Sequence, residues 1–305
     1  MSDPIPYTVI GGYLGAGKTT LLNHLLSNAG GRRLALIVND FGAINIDAEL
    51  IDRQSGNQIN LTNGCICCGM SEGFDEALDL LLACRPRPDH IVVEASGVAD
   101  VISLAQYGHH PGLTLNGVVV VADAETVRRK AGDRYVGGTV SRQLAGADLI
   151  VLNKTDLVAD DARKALTRWL EGMAPGVPVL VSRWCEVPVS VLLGLDAAAP
   201  HDTATAGKRH AAHETYATWH FRHPRPLARD AVQAFIDRLP SSVVRAKGFF
   251  LIEPGERYLF QRVGRRHTLT PARTPGESEL VAIGLASALD TALLDASAQA
   301  LLGSS

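Results

Sequence analysis

The chain has 305 residues, 46% of them hydrophobic and 20% charged, and a formal net charge of −3. This length exceeds what one hydrophobic core usually holds, so about two domains are expected. The slightly negative charge gives no electrostatic reason to expect a nucleic-acid or membrane partner. The N-terminal residues lack a basic segment followed by a long apolar core, and no apolar run has bilayer length. We therefore expect neither a secretory signal nor a membrane span.

The first half of the chain alternates short apolar runs with amphipathic stretches. The apolar runs are typical of strands buried on both faces of a parallel sheet. They cover residues 7–10, 34–38, 90–93, 117–121, 148–152 and 177–181. Amphipathic stretches such as 74–82 predict helices between the strands, and residues 187–195 predict a closing helix. This alternation predicts an α/β fold with a doubly wound sheet over residues 1–195.

Residues 196–213 interrupt the alternation, because they are rich in Ala, His, Asp and Thr and show no apolar period. This composition predicts a linker. Its histidines are too sparse to favour a metal-binding tract, and we interpret them as solvated; they are His201, His210 and His213. Residues 214–305 predict a smaller α+β domain of antiparallel pattern. Its predicted strands are 215–221, 248–252, 258–263 and 279–284, and its predicted helices are 227–239 and 286–302.

A phosphate-binding loop (P-loop) is predicted at residues 12–19, Gly-Tyr-Leu-Gly-Ala-Gly-Lys-Thr, between an apolar run and a stretch of helical spacing. A strand, a glycine turn and a helix start together form an anion cradle of the P-loop NTPase type. Lys18 is predicted to reach the β- and γ-phosphates, and the Thr19 hydroxyl to bind Mg²⁺. Backbone contacts to the phosphates are predicted for the other residues of the loop and its helix start, namely Gly12, Gly15, Ala16, Gly17 and Thr20.

The choice of base is predicted by residues 153–156, Asn-Lys-Thr-Asp, which directly follow a buried strand. Asp156 can accept two hydrogen bonds from the N1–H and N2–H₂ edge of guanine, whereas adenine would leave its carboxylate unpaired. Asn153 is expected to orient the loop and face the other edge of the base, and the Lys154 stem to cover the purine face. The sequence therefore predicts GTP as the nucleotide.

A carboxylate follows the strand 90–93, in the sequence Glu94-Ala95-Ser96-Gly97. Glu94 is expected beside the phosphates, where it can hold Mg²⁺ or its water shell. Gly97 leaves room for a backbone N–H near the γ-phosphate. Lys18 and Glu94 are thus the predicted catalytic residues, while Arg142 is interpreted as a solvated helix charge rather than an arginine finger.

Three of the five cysteines lie within four residues, at Cys65, Cys67 and Cys68, between Gly64 and Gly69. This crowding favours metal binding in a reducing compartment, and hence the cytoplasm, over a disulfide framework. Three thiolates suit a thiophilic ion and leave a fourth position open, so metal could be accepted and released. A buried hydrophobic cluster and redox chemistry are the alternatives. The single cysteines, Cys84 and Cys185, are predicted to be buried thiols.

The combination of these motifs resembles the CobW-type GTPases, metallochaperones related to the nickel-insertion GTPases of urease and hydrogenase. The resemblance includes residues 39–42, Asn-Asp-Phe-Gly, and extends weakly to residues 245–249 and 279–284. It implies a P-loop GTPase domain and a CobW-like C-terminal domain. It also implies GTP-dependent delivery of zinc, or cobalt, to a client metalloprotein. The family usually has glutamate where Asp40 stands, which is one methylene longer.

The two sites suggest a coupled mechanism. Cys65, Cys67 and Cys68 would bind the metal, with a fourth ligand from water, Asp40 or the client. GTP and Mg²⁺ would order the segment from Asn39 to the cysteines, and hydrolysis would relax it. The alternative is a regulatory GTPase switch whose cysteines sense metal or redox state. An ATP-dependent small-molecule kinase is disfavoured by Asp156.

Overall fold

The computed structural model describes residues 4–38, 59–61, 72–194 and 216–303. The chain divides into two compact units, the first ending at Val189 and the second beginning at Ser190. The predicted linker 196–213 lies outside the described residues, so its limits stay a prediction. In the described ranges, no helix combines the length and the apolar character that a bilayer crossing requires.

The first unit is built on a parallel sheet, as its continuous apolar runs predict. In chain order the strands are β1 (Ile5–Gly11), β2 (Leu34–Val38), β3 (Ile59–Leu61), β4 (His90–Glu94), β5 (Leu113–Asp123), β6 (Leu149–Asn153) and β7 (Val179–Val181). They lie in the order β3-β2-β4-β1-β5-β6-β7, and every pair is parallel. Helices supply the covering layers that such a sheet needs. The predicted α/β class is confirmed.

The helices of this unit are α1 (Lys18–Ser27), α2 (Glu72–Ala83), α3 (Val101–Gln106), α4 (Val127–Ala131), α5 (Gly137–Ala145) and α6 (Asp160–Met173). The next helix in the described residues is α7 (Val189–Leu193). Helix side chains such as Leu78 and Leu170 are fully buried in one apolar cluster with strand residues such as Val93 and Leu152. The closing helix begins later than predicted, because Pro188 disfavours helical backbone at the residue before it.

Four adjacent strands end at the same edge of this sheet. The order β4-β1-β5-β6 places their carboxyl ends side by side. The register pairs Ile10 with Glu94 across β1 and β4, and Asp123 with Asn153 across β5 and β6. Ligands of open α/β sheets bind outside the carboxyl ends of the strands, so the residues that follow these four strands form the expected site.

In its described residues from 216 onward, the second unit contains an antiparallel sheet and two helices. The strands are β8 (Tyr216–His223), β9 (Val243–Ile252), β10 (Glu256–Val263), β11 (Arg266–Pro271) and β12 (Ser278–Leu285), in the order β11-β10-β9-β12-β8. The helices are α8 (Arg229–Arg238) and α9 (Thr291–Leu302). Phe235, Phe250, Phe260 and Leu294 are among the buried residues of its own core. This is the smaller α+β pattern that the sequence predicts.

Two strands of this unit differ from the prediction. β9 begins at Val243 rather than at Gly248, which lies in mid-strand, where a Cβ would collide with the Glu279 carbonyl of β12. The glycine therefore permits close strand contact and does not start the strand. β11 is an additional strand that forms a hairpin with β10 across Gly264 and Arg265. Its side chains are exposed or half-buried, so it lacks the apolar run that revealed the other strands.

The helices of this unit start later than predicted. Leu227 forms a β-bridge with Ile252 before α8 begins at Arg229. α9 begins at Thr291 because Asp290 caps it, and the Asp290 carboxylate accepts a hydrogen bond from the Leu293 N–H.

Candidate functional site

A cavity of about 490 Å³ lies where the loops after β1, β4 and β6 meet. Nine predicted site residues line it: Gly15, Gly17, Lys18, Thr19, Thr20, Glu94, Asn153, Lys154 and Asp156. Leu14, Leu157 and Trp184 complete the lining. Gly12, Ala16 and Gly97, also predicted for nucleotide contact, are not part of the lining. The three motifs are therefore brought to one cavity large enough for a small-molecule ligand.

The predicted phosphate end of the cavity is formed by the start of α1. Lys18 is the first residue of this helix and only 8% exposed, and its Nζ lies 3.9 Å from Oε1 of Glu94, which is 4% exposed. A buried cation at a helix N-terminus attracts phosphate, because the free backbone N–H groups and the helix dipole act in the same direction. The Thr19 hydroxyl and the Glu94 carboxylate line the same cavity and are the hard oxygen ligands that Mg²⁺ prefers.

Gly97 is required by close packing on the P-loop. A Cβ at this position would lie 2.9 Å from the backbone nitrogen of Leu14 and 2.6 Å from its side chain. The Gln143 side chain donates hydrogen bonds to the Gly97 and Ala99 carbonyls. The loop after β4 is thus held against the P-loop, and the predicted backbone contact from Gly97 to a γ-phosphate stays a prediction.

Asn153 connects three loops at the predicted base end of the cavity. Its Nδ2 donates to the Ala16 carbonyl at 3.1 Å, and its Oδ1 accepts from the Cys185 N–H at 2.9 Å. Both polar atoms of the amide therefore contact protein. This favours the first of its two predicted roles, orienting the loop, over direct contact with a base edge.

Lys154 is held by a carboxylate that belongs to none of the sequence motifs, that of Asp123. Lys154 has a left-handed backbone, with φ of 60°, and its Nζ lies 2.7 Å from Oδ2 of Asp123. Asp123 ends β5 and is 6% exposed. This ion pair fixes the ammonium group while the lysine side chain lines the cavity. In the sequence, the one signal that points to Asp123 is its position at the carboxyl end of a long apolar run.

Cys185 also contributes to the site, beyond its predicted role as a buried thiol. It is fully buried, as predicted, and its Sγ donates to the Gly17 carbonyl at 3.3 Å. Burial raises the pKa of the Cys185 thiol to about 12, so the thiol keeps its proton at neutral pH. It therefore supports the P-loop rather than acting as a nucleophile. Cys84, which directly follows α2 and is also predicted to be buried, is only half-buried.

Several predicted residues lie outside the described part of the chain, namely Asp40, Cys65, Cys67, Cys68 and the linker histidines. Within the described part, no group of three or more His, Cys, Asp or Glu side chains could hold a metal ion. Arg142 is exposed on α5, in agreement with its interpretation as a solvated charge.

Replacing Gly17 by alanine should destabilise the first unit and prevent nucleotide binding. Gly17 has φ of 112°, and a Cβ there would collide with Nδ2 of Asn153 and lie 3.2 Å from the Cys185 sulfur. A left-handed backbone and a steric overlap together cost about 2–4 kcal/mol. Urea denaturation of the wild type and of Gly17→Ala would measure this loss in the free energy of unfolding.

Gly172→Ala is the matched control. Gly172 is exposed near the end of α6, where a Cβ meets nothing within 4 Å. Alanine in a helix is more stable than glycine by about 0.5–1 kcal/mol. Equal unfolding free energies for the two variants would show that the Gly17 contacts are unimportant.

Comparison with known proteins matches two ranges of the chain, each to its own domain family. Residues 6–181 match the family described as "CobW/HypB/UreG, nucleotide-binding domain". Residues 216–302 match the "Cobalamin synthesis protein cobW C-terminal domain". These ranges correspond to the α/β unit that contains the cavity and to the antiparallel unit.

Three relatives have related names. The "Zinc chaperone CobW" of Sinorhizobium sp is 35% identical over 92% of this chain and 93% of the relative. The protein of the same name from Pseudomonas aeruginosa is 33% identical over 86% and 81%. The "Zinc-regulated GTPase metalloprotein activator 1" of Schizosaccharomyces pombe is 33% identical over 52% of this chain and 41% of the relative. The chain therefore belongs to the CobW/HypB/UreG family, with a nucleotide-binding domain followed by a CobW C-terminal domain.

Proposed function

We propose that this chain is a GTP-hydrolysing metallochaperone, which binds zinc through Cys65, Cys67 and Cys68 and delivers it to a client metalloprotein. The observation that carries the nucleotide part is the shared cavity, since Lys18, Glu94 and Asp156 come from three distant motifs and line one space. The metal part is supported by the three clustered thiols and by relatives named as zinc chaperones. The cytoplasm, where thiols stay reduced, is the proposed location.

In this proposal, different residues of the cavity contact the phosphates, the base and the Mg²⁺ ion of bound GTP. Lys18 neutralises the β- and γ-phosphates, and backbone N–H groups of the P-loop donate to their oxygens. Asp156 accepts the N1–H and N2–H₂ groups of guanine, and Asn153 keeps this recognition loop at a fixed place beside the P-loop. Mg²⁺ held by Thr19 and Glu94 would offset the negative charge of the transferred phosphoryl group.

Zinc is the cargo, and its binding is proposed to depend on the nucleotide. The cysteines lie in the chain between the P-loop and Glu94, so ordering of the intervening segment by GTP would change the metal site as well. Zinc must then change GTP affinity by the same factor that GTP changes zinc affinity. Zinc serves better than cobalt in this role, because the relatives are named for it and thiolates suit it.

Zinc affinity should differ between the complexes with a non-hydrolysable GTP analogue and with GDP. Coupling between two sites is commonly about 5- to 150-fold, and we expect a difference in this range. Competition with a chromophoric zinc chelator measures both values. Equal affinities would contradict the coupling, and failure to transfer zinc to an apo client would favour the regulatory switch.

The cysteine assignment has its own control. Replacing Cys65, Cys67 and Cys68 together by serine should abolish tight zinc binding and leave GDP affinity unchanged. Cys84→Ser, at a half-buried thiol outside this cluster, should leave zinc affinity unchanged. Wild-type zinc affinity in the triple variant would remove the cysteines from the site.

A further inference from the structure

Trp184 is an exposed aromatic side chain on the lining of the nucleotide cavity. Of the three tryptophans in the chain, Trp219 is buried in the second unit, Trp169 is half-buried on α6, and Trp184 is 72% exposed. Trp184 lines the cavity together with Lys154 and Asp156, the predicted base-recognition residues. An aromatic ring left in water beside a ligand cavity is a common feature of binding sites, because a ligand can remove its apolar surface from water.

The backbone holds this ring in an unusual conformation. Trp184 has φ of 52° and Cys185 has φ of 57°, both in the left-handed region that bulky residues rarely adopt. Such conformations persist where surrounding contacts fix them, and they concentrate at ligand sites. Here the Cys185 N–H donates to Asn153, and the Ser182 carbonyl accepts from both the N–H and the hydroxyl of Thr155. The loop 182–185 is therefore hydrogen-bonded to residues 153–155 on both sides of Trp184.

The surroundings of Trp184 suit one face of a purine. Lys154 has its ammonium group fixed by Asp123, and Leu157, which is exposed, lines the same cavity. A purine has apolar faces and a polar edge, and Asp156 offers an acceptor for that edge. We propose that the indole ring of Trp184 stacks on the guanine base that Asp156 recognises, and so sets nucleotide affinity; this rests on the proposed GTP site.

The test compares Trp184→Ala and Trp184→Phe with the wild type by calorimetric titration with GDP and with pyrophosphate. Loss of a base–aromatic stack should weaken GDP binding about 5- to 100-fold in Trp184→Ala, while Trp184→Phe, which keeps a ring, should lose much less. Pyrophosphate has no base, so its affinity should be the same in all three proteins. If Trp184→Ala lost affinity for pyrophosphate and for GDP by the same factor, the residue would only support the loop. This result would overturn the proposal.

Tryptophan fluorescence provides a second readout. GDP should quench the emission of the wild type and of Trp169→Phe, the matched control, but not of Trp184→Phe. Full quenching in Trp184→Phe, or wild-type GDP affinity in Trp184→Ala, would also overturn the proposal. If the wild type bound pyrophosphate but not GDP or GTP, the proposed function itself would be wrong and the stacking role would fall with it.

Discussion

Lys18→Ala should abolish GTP hydrolysis while the chain stays folded. Lys18 is the buried cation at the N-terminus of α1, and its Nζ is 3.9 Å from Glu94 at the phosphate end of the cavity. Removing one preorganised group that stabilises transition-state charge typically slows an enzyme by about 10²- to 10³-fold. Phosphate release from GTP would measure the loss, with circular dichroism to confirm the fold.

Two further variants make this test specific. Lys164→Ala removes the same side chain from an exposed position on α6 and should keep wild-type turnover. Lys18→Arg keeps the positive charge in a larger, planar group and should also be strongly impaired, because a P-loop lysine acts as a compact charge. Retained hydrolysis in Lys18→Ala would exclude this cavity as the GTPase site.

Asp156→Asn should change which base the protein binds. The asparagine amide group would meet the 2-amino group of guanine as one donor facing another, so GDP affinity should fall about 10²- to 10⁴-fold. Xanthine has an oxygen at the same ring position, and an asparagine can accept its N1–H and donate to that oxygen. Xanthosine diphosphate should therefore bind the variant better than GDP does. Calorimetric titration of both nucleotides would measure the exchange.

Asp161→Asn is the control for this change. Asp161 is exposed in the first turn of α6 and does not line the cavity, so its substitution should leave GDP affinity unaltered. If Asp156→Asn bound neither GDP nor xanthosine diphosphate with appreciable affinity, Asp156 would be a structural residue of the loop. The guanine assignment would then be wrong.

Two parts of the site could be predicted from the sequence because each is a short continuous motif. The P-loop combines a glycine turn, Lys18 and Thr19 in one short stretch, and residues 153–156 carry the base loop directly after an apolar strand. Buried parallel strands are visible as apolar runs because both of their faces are covered. These local signals sufficed for the α/β class and for nine of the twelve residues that line the cavity, but not for Leu14, Leu157 and Trp184.

The contacts that connect these motifs could not be predicted, because they depend on which strands become neighbours. Asp123 is 31 positions from Lys154, and the Cys185 thiol is 168 positions from Gly17. Each pair meets only because β1, β5, β6 and β7 lie side by side in the sheet. Periodicity in a single sequence identifies strands but not their order. The sequence therefore predicts Cys185 only as a buried thiol, without its contact to the P-loop.

The hydrogen bonds of Asn153 have a consequence for how the base and the phosphates of one nucleotide would bind. One amide group joins the P-loop to the loop that we propose receives the base. The two halves of a nucleotide would then bind to loops that are already joined, and the second half would add its contacts at a reduced entropic penalty, as in a chelate. The proposed site would therefore favour ligands whose base and phosphates are separated by one ribose.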